Sequence, residues 1–453
     1  MKKIMKFLEV KAMPVASKIA SMRYIRALRD GLAVTMPLVI VGSIFMLLAN
    51  VPIDGYVEFM DGIFGVGFVA KLSYPCRATF DILTLVAVAS IAFQVAKDRE
   101  VDGLSAAILA ISAFLSLVPV INIKGATMGG QALELGRVIQ TNMYLSAGGL
   151  IVGIFVAIAS AEIFAFVVKK NWVIKMPDSV PPAVSKSFVA ITPGAIIITA
   201  AWLLRIGFEV TDYGTIFGFI STFVAIPLAA AGLSYGGMLT TVGAIHLFWS
   251  MGIHGSRVVF GVMDSILLPA MDANRVAFEA GDAIPNIITK QFYDVFTNGG
   301  GLAIAGLVIL MLFVAKSKQI KSLGKLAVGP IIFNIAEPVL FGLPIIMNPI
   351  MIIPFIITPL LVGTTTYFAM FFGLVSYPIG VAVPWTVPLF FSGYLATGGD
   401  FNAVLLQVVN LLISVIVYYP FLKLWDKKMV LEEQNYVETN DDDELKALAE
   451  SMK

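Results

Sequence analysis

Apolar residues run along this chain in unbroken stretches divided by charged breaks, without the two-residue alternation of a half-buried strand. A helix that crosses a bilayer needs about 20 consecutive apolar residues. On that measure the pattern predicts about ten spans, near residues 31–51, 80–96, 104–121, 147–168, 188–204, 216–233, 237–251, 301–314, 349–372 and 403–422. Continuous runs argue against a membrane β-barrel, whose strands alternate. Residues 122–141 read as a polar loop on the outside, and residues 171–186 as an interfacial connector. A short polar break at 209–213 divides the chain into two membrane domains.

Two segments fit neither class. Residues 252–298 and 374–400 are too polar for a span and too apolar for a free loop, and both are expected as re-entrant hairpins. A third stretch, residues 329–349 (GPIIFNIAEPVLFGLPIIMNP), sets Glu337 inside an apolar run broken by Pro330, Pro338, Pro344 and Pro349. Bent backbone at membrane depth leaves amides and carbonyls that lipid cannot satisfy, so it must be buried in protein or line a wet cavity. A carboxylate there is a functional candidate by default.

Charge then orients the scaffold. Residues 1–30 carry eight Lys or Arg against Glu9 and Asp30, the pattern of an amphipathic helix on an anionic leaflet. Basic clusters at Lys169-Lys170, Lys316–Lys325 and Lys423–Lys428 agree with both termini in the cytosol. No signal-peptide pattern is read at the start. The expected organisation is a surface helix over 1–30, membrane domains over 31–213 and 214–428, and an acidic, exposed tail over 429–453. Composition supports the class: 58% of residues are hydrophobic and 13% charged, against about 25% charged in soluble domains. The fold class is therefore all-α and polytopic. A net charge of +1 gives no reason to expect nucleic acid. The single cysteine, Cys76, rules out an internal disulfide and a cysteine metal cluster, and reads as an inert thiol at the membrane edge.

Few residues are left to carry chemistry. Glu337 reads either as a carboxylate satisfied by a neighbouring base or as a proton acceptor and hydroxyl-binding group. His254, in Gly252-Ile253-His254-Gly255, sits between glycines at a span end, where backbone can approach a ligand. His246 lies mid-run and reads as a core histidine. Trp385, between Pro384 and Pro388, offers an aromatic face to a sugar ring or to the membrane interface. Asn298-Gly299-Gly300-Gly301 suggests a close-approach turn. No metal site and no nucleotide-binding motif appears.

These residues resemble a known family. Residues 334–344, NIAEPVLFGLP, look like the Asn-x-x-Glu-Pro-x-x-Phe-Gly-Leu-Pro signature of the membrane IIC component of the phosphoenolpyruvate-dependent sugar phosphotransferase system, in its lactose/cellobiose/diacetylchitobiose branch. Gly252-Ile253-His254-Gly255, the Pro384-Trp385 element and the opening run around MRYIRALRDGLAVTMPLVIVG resemble the same family over nearly the whole chain. The chain departs from it at Gly299-Gly300-Gly301 and at Ala336. The resemblance implies a homodimer in the bacterial cell membrane, with ten spans and two re-entrant hairpins, joined through the first five spans. It implies a β-linked disaccharide held in the second half, with Glu337 and His254 at the reactive end. Asn334, Trp385, Asn298, Gly255 and Thr386 would bind the sugar. It also implies phosphorylation of the sugar 6-hydroxyl by a phosphocysteine on a separate IIB protein, supplied in turn by IIA, HPr and enzyme I. No cofactor is expected, since the partner phosphocysteine brings the phosphoryl group. Nothing after Cys76 resembles the loop a phosphocysteine needs, which agrees with a donor on another protein.

Two rival readings come from the same residues. A cation-coupled sugar symporter would use Glu337 as its coupling carboxylate and release unmodified sugar. A membrane sensor or scaffold would bind a soluble regulator through its basic termini and move no sugar.

Overall fold

The computed structural model describes Pro14, Lys18 and residues 21–51, 55–128, 131–177, 180–297, 301–343, 345–346 and 348–451. Most of residues 1–20, and with them most of the expected surface helix, lie outside the described residues, as does Asn298. Helices dominate, as the apolar runs predict. The exception is an antiparallel hairpin, Ile121–Met128 with Gln131–Val138, where a polar loop is expected. Among the described residues, seven helices are long and apolar enough to cross a membrane. An eighth arises if Ile216–Gly232 and Tyr235–Ser250, bent by 74°, count as one span. That is fewer than ten for physical reasons. The apolar helix Gly103–Leu117 is short, and the bent pair stands where the pattern predicts two spans.

The helix Arg23–Ala33 belongs to the body of the protein. It packs against Leu83–Asp98 and against Gly255–Ala280, and Gly31 lets it sit directly on Ile91. Arg26 pairs with Asp98 at 3.1 Å, and the Tyr24 hydroxyl donates to Glu162 at 3.1 Å. One continuous apolar core joins the two halves of the chain, running from Ala27 and Val88 through Phe260 and Met271 to Leu406. A second core lies where Leu302–Phe313 packs on the last helix, around Ile304, Met311 and Tyr418.

The expected re-entrant hairpins are present as fold-backs, each irregular in one arm. The first begins as the 26-residue helix Gly255–Ala280. The chain then returns along its side. Asn274 donates to the Asn286 carbonyl at 2.7 Å and accepts the Asn286 amide at 3.0 Å. Further along, Lys290 reaches Asp264 at 3.4 Å and Tyr293 packs on Phe260 with ring centres 5.7 Å apart. The return arm ends in a π-helical turn, Phe292–Thr297.

In the second fold-back the leading arm, residues 374–390, is irregular chain with bends and turns rather than helix. Its amides find acceptors in protein, as buried irregular backbone requires. The Ser376 amide donates to Asp400, Ile379 to the Ala396 carbonyl, Ala382 to Ser43 Oγ and Val383 to Gln291 Oε1, at 2.7–3.0 Å. The short helix Phe391–Ala396 completes the turn back.

The acidic end of the chain is helical, as part of one long helix rather than a short separate one. The final helix, Phe401–Ser451, carries on through the acidic stretch. Its Asp426 and Glu433 accept backbone amides of residues 316–319, which open the helix Lys318–Ile332. The basic stretch beginning at Lys316 is thereby fixed to the end of the protein. Cys76 is buried, with its thiol toward the Gly42 carbonyl.

Candidate functional site

The two residues singled out for chemistry sit on the same local device. Helix Tyr235–Ser250 ends at Gly252, which has φ +79°; the Gly252 amide donates to the Trp249 carbonyl and the Ile253 amide to the Phe248 carbonyl. This is the left-handed helix stop that glycine favours. The next helix starts at once, with His254 as its N-cap. Helix Lys318–Ile332 ends the same way, with Asn334 at φ +62°, its amide donating to Ile331 and that of Ile335 to Pro330. Asparagine is among the few residues with a side chain that enter this region readily. A new helix, Glu337–Gly342, begins three residues on, with Pro338 in its first turn. Each break turns the chain and puts a polar side chain where a helix starts.

Both breaks open on one cavity of about 430 Å³, within the 300–1,000 Å³ typical of small-ligand sites. Glu337, His254, Asn334 and Trp385 all line it. Trp249, Phe260 and Phe355 supply further aromatic wall. The His254 ring lies against Trp249 with centres 4.3 Å apart, and its Nδ1 accepts the Arg257 amide at 3.4 Å. With Nδ1 accepting, the neutral ring carries its proton on Nε2 and is a donor there. Glu337 is near enough to His254 for their charges to interact.

Asn334 works chiefly as a fastener. Its Nδ2 donates to the carbonyls of Trp385 and Val387, each at 2.8 Å, and so joins the Glu337 break to the turn that carries Trp385. Gly301 packs against the same side chain, where a Cβ would overlap Asn334 Oδ1.

Two other candidates do not reach the cavity wall. Gly255 is buried where a Cβ would overlap the Ile245 carbonyl oxygen, so its need is close packing between consecutive helices. Thr386 is exposed, beside the wall but not in it. His246 is a core histidine as read, 1% exposed, with Nδ1–H donating to the Val242 carbonyl at 2.8 Å and the ring edge-on to Phe355, though one side borders the cavity.

Sequence reasoning missed the ion pairs of the wall. Lys290 lies between Asp264 at 3.4 Å and Asp294 at 3.6 Å, with Nζ 3.2 Å from the centre of the Phe260 ring. Arg29 pairs with Asp30 at 2.7 Å. The i, i+4 spacing of Lys290 and Asp294 was a local signal; the approach of Asp264 and Arg29 was not readable locally. Among the described residues, no group of His, Cys, Asp or Glu is arranged to hold a metal ion.

Residues 29–359 match the family model described as "Phosphotransferase system, EIIC". The chain belongs to that family. It is 46% identical over 439 residues to the lichenan permease IIC component of Bacillus subtilis (strain 168), covering 96% of each chain. It is 43% identical over 438 residues to the cellobiose-specific EIIC component of Geobacillus stearothermophilus, covering 96% of this chain and 97% of the relative. Among solved structures it is similar to ChbC, the IIC component of an N,N'-diacetylchitobiose-specific phosphotransferase system, with a TM-score of 0.89 and 44% identity over 94% of this chain and 99% of that one. As an EIIC protein it is a multi-pass membrane component of sugar transport, and the membership favours the phosphotransferase reading over cation-coupled symport.

Proposed function

We propose that this chain carries a β-linked disaccharide of the cellobiose or diacetylchitobiose type across the bacterial membrane and presents its 6-hydroxyl to a phosphocysteine on a IIB protein. The observation that carries the proposal is the meeting of Glu337 and His254 in one aromatic-walled cavity. Aromatic faces pack on the apolar faces of sugar rings, and the cavity has room for a small ligand. Phosphoryl transfer requires mainly positioning and electrostatic stabilisation. Glu337 accepts the hydroxyl proton as the phosphoryl group arrives. His254, neutral and protonated on Nε2, donates to a sugar oxygen and holds it in line. Trp385 stacks on a ring, and Asn334 keeps Trp385 and Glu337 in register. Asn298 and Thr386 complete the sugar-binding set, and Gly255 serves it indirectly by letting the helix capped by His254 start close against the one before it.

The reading extends to the assembly. The protein works as a homodimer joined through residues 31–213, with the sugar held by residues 214–428 and both termini in the cytosol. The basic stretches near the termini receive IIB, which is recharged by IIA, HPr and enzyme I. No resident cofactor takes part. Sugar phosphate leaves on the cytosolic side and rebinds poorly, which makes uptake one-way.

The test is phosphoenolpyruvate-dependent phosphorylation of labelled cellobiose by membranes, with and without the soluble phosphotransferase proteins. Glu337→Gln is expected to lower the rate by about 10²–10⁴-fold, the range of a positioned general base. Near-normal turnover would reject the role. Uptake of unmodified sugar driven by an ion gradient would restore the symporter reading, and absence of any flux the sensor reading.

A further inference from the structure

The cavity wall carries three cations, Arg29, Arg257 and Lys290, and three carboxylates, Asp264, Asp294 and Glu337. Arg29 is held by Asp30, and Lys290 by Asp264 and Asp294. That leaves Arg257 and Glu337. Among the described residues neither forms an ion pair, and although they share one wall they do not pair with each other. A neutral sugar can accept hydrogen bonds from a guanidinium but does not match its charge. A phosphoryl group does, because its non-bridging oxygens carry two negative charges and the planar guanidinium can grip two of them at once.

We propose that Arg257 is a catalytic residue that binds the non-bridging oxygens of the phosphoryl group during its transfer to the sugar. This rests on the phosphotransferase reading above and deepens it. Arg257 leaves the first turn of the helix that His254 caps, and its own amide bonds to His254 Nδ1. The guanidinium and the imidazole therefore start from one turn, and that turn and the break that carries Glu337 line the same cavity. In the step, the sugar O6 forms its bond to phosphorus as the phosphorus–sulfur bond of the phosphocysteine breaks. The hydroxyl proton passes to the Glu337 carboxylate and the cysteine leaves as thiolate. Arg257 donates hydrogen bonds to the transferring oxygens throughout and exchanges no proton. His254 and Glu337 handle the acceptor, and Arg257 handles what is transferred.

The experiment separates sugar binding from chemistry. Purified full-length protein is titrated with cellobiose by calorimetry, then mixed with phosphorylated IIB, and sugar phosphate is followed in single turnovers. Arg257→Gln is expected to bind cellobiose within about twofold of wild type and to phosphorylate it roughly 10²–10³-fold more slowly, the loss typical of one transition-state donor. Arg257→Lys keeps the charge without the fork and should fall between. Free guanidinium ion should restore part of the rate of Arg257→Ala without changing its sugar affinity, which a structural role would not produce. Two results overturn the assignment: Arg257→Gln, or Arg257→Ala if the first does not fold, transferring within about threefold of wild type, or sugar affinity falling as far as the rate. If the wild type makes no sugar phosphate from phosphorylated IIB, the phosphotransferase reading itself fails. If the wild type and Arg257→Gln make it equally fast, only the role of Arg257 fails.

Discussion

Within one cavity, Lys290 and Glu337 show opposite treatments of a charge. Lys290 is buried, bracketed by two carboxylates and laid over an aromatic ring. Glu337 lines the same space, exposed to it, with no ion-pair partner among the described residues. A buried ion that is matched on every side belongs to the scaffold, because losing one partner strands the others. An ion left unmatched beside a cavity is available to whatever enters. The contrast divides this wall in two: paired groups hold its shape, and unpaired groups are those proposed to meet the substrate and the phosphoryl donor.

The sharpest way to break that division is to remove one charge from each side and measure stability. Lys290→Met leaves Asp264 and Asp294 facing each other unmatched, and should destabilise the protein by about 3–5 kcal/mol, seen as a large fall in the detergent-solubilised melting temperature. Glu337→Gln, by contrast, should leave the melt within about 0.5 kcal/mol of wild type. If the two substitutions cost the same, the distinction does not hold. A smaller effect comes from the fastener. Asn334→Ala loses two hydrogen bonds and forces a side chain into left-handed backbone, whereas Asn334→Gly loses only the bonds. The alanine form should therefore be less stable by about 1–2 kcal/mol, and both should weaken sugar binding as Trp385 comes loose. The smallest effect lies outside the cavity. Asp102 caps the helix Gly103–Leu117 by accepting the Ser105 amide at 2.9 Å, with Lys186 at 3.7 Å. The bonds from Ser105 hold its carboxyl below the ordinary aspartate range. A lowered folded-state value means the contribution is present above the unfolded value and disappears as pH falls through the folded one. Asp102→Ala should cost about 1 kcal/mol at neutral pH, less in so far as the cap is solvent-exposed, and nothing once acid has protonated the wild type. A difference between the two that persists in acid would contradict this.

The candidates legible in the chain were those that broke a local rule. Glu337 and His254 stood out as ionisable groups at proline or glycine breaks in apolar runs, and both line the cavity. The family signature drew in Asn334 and Trp385, and the structure joins them by hydrogen bonds. The pairings were not legible. Arg29 reads from sequence as part of a surface helix, and only tertiary packing brings it into the wall beside residues more than two hundred positions away. Likewise no local pattern distinguishes Arg257, which has no ion-pair partner among the described residues, from Lys290, which has two. The hairpin at 121–138 was missed although Gly129-Gly130 is a recognised hairpin turn signal, because its charged residues made the stretch read as loop.

The bond between the Ala382 amide and Ser43 Oγ has a mechanical consequence. It spans 339 positions and ties the run that bears Trp385 to the helix Met36–Ala49. Ser43 and Ala382 are both buried, and Val381, Ala382 and Val383 belong to the same apolar core as Val39 and Met46 of that helix. The run is therefore riveted as well as glued to the first half, and any swing of one half against the other must carry it along or tear both fixings.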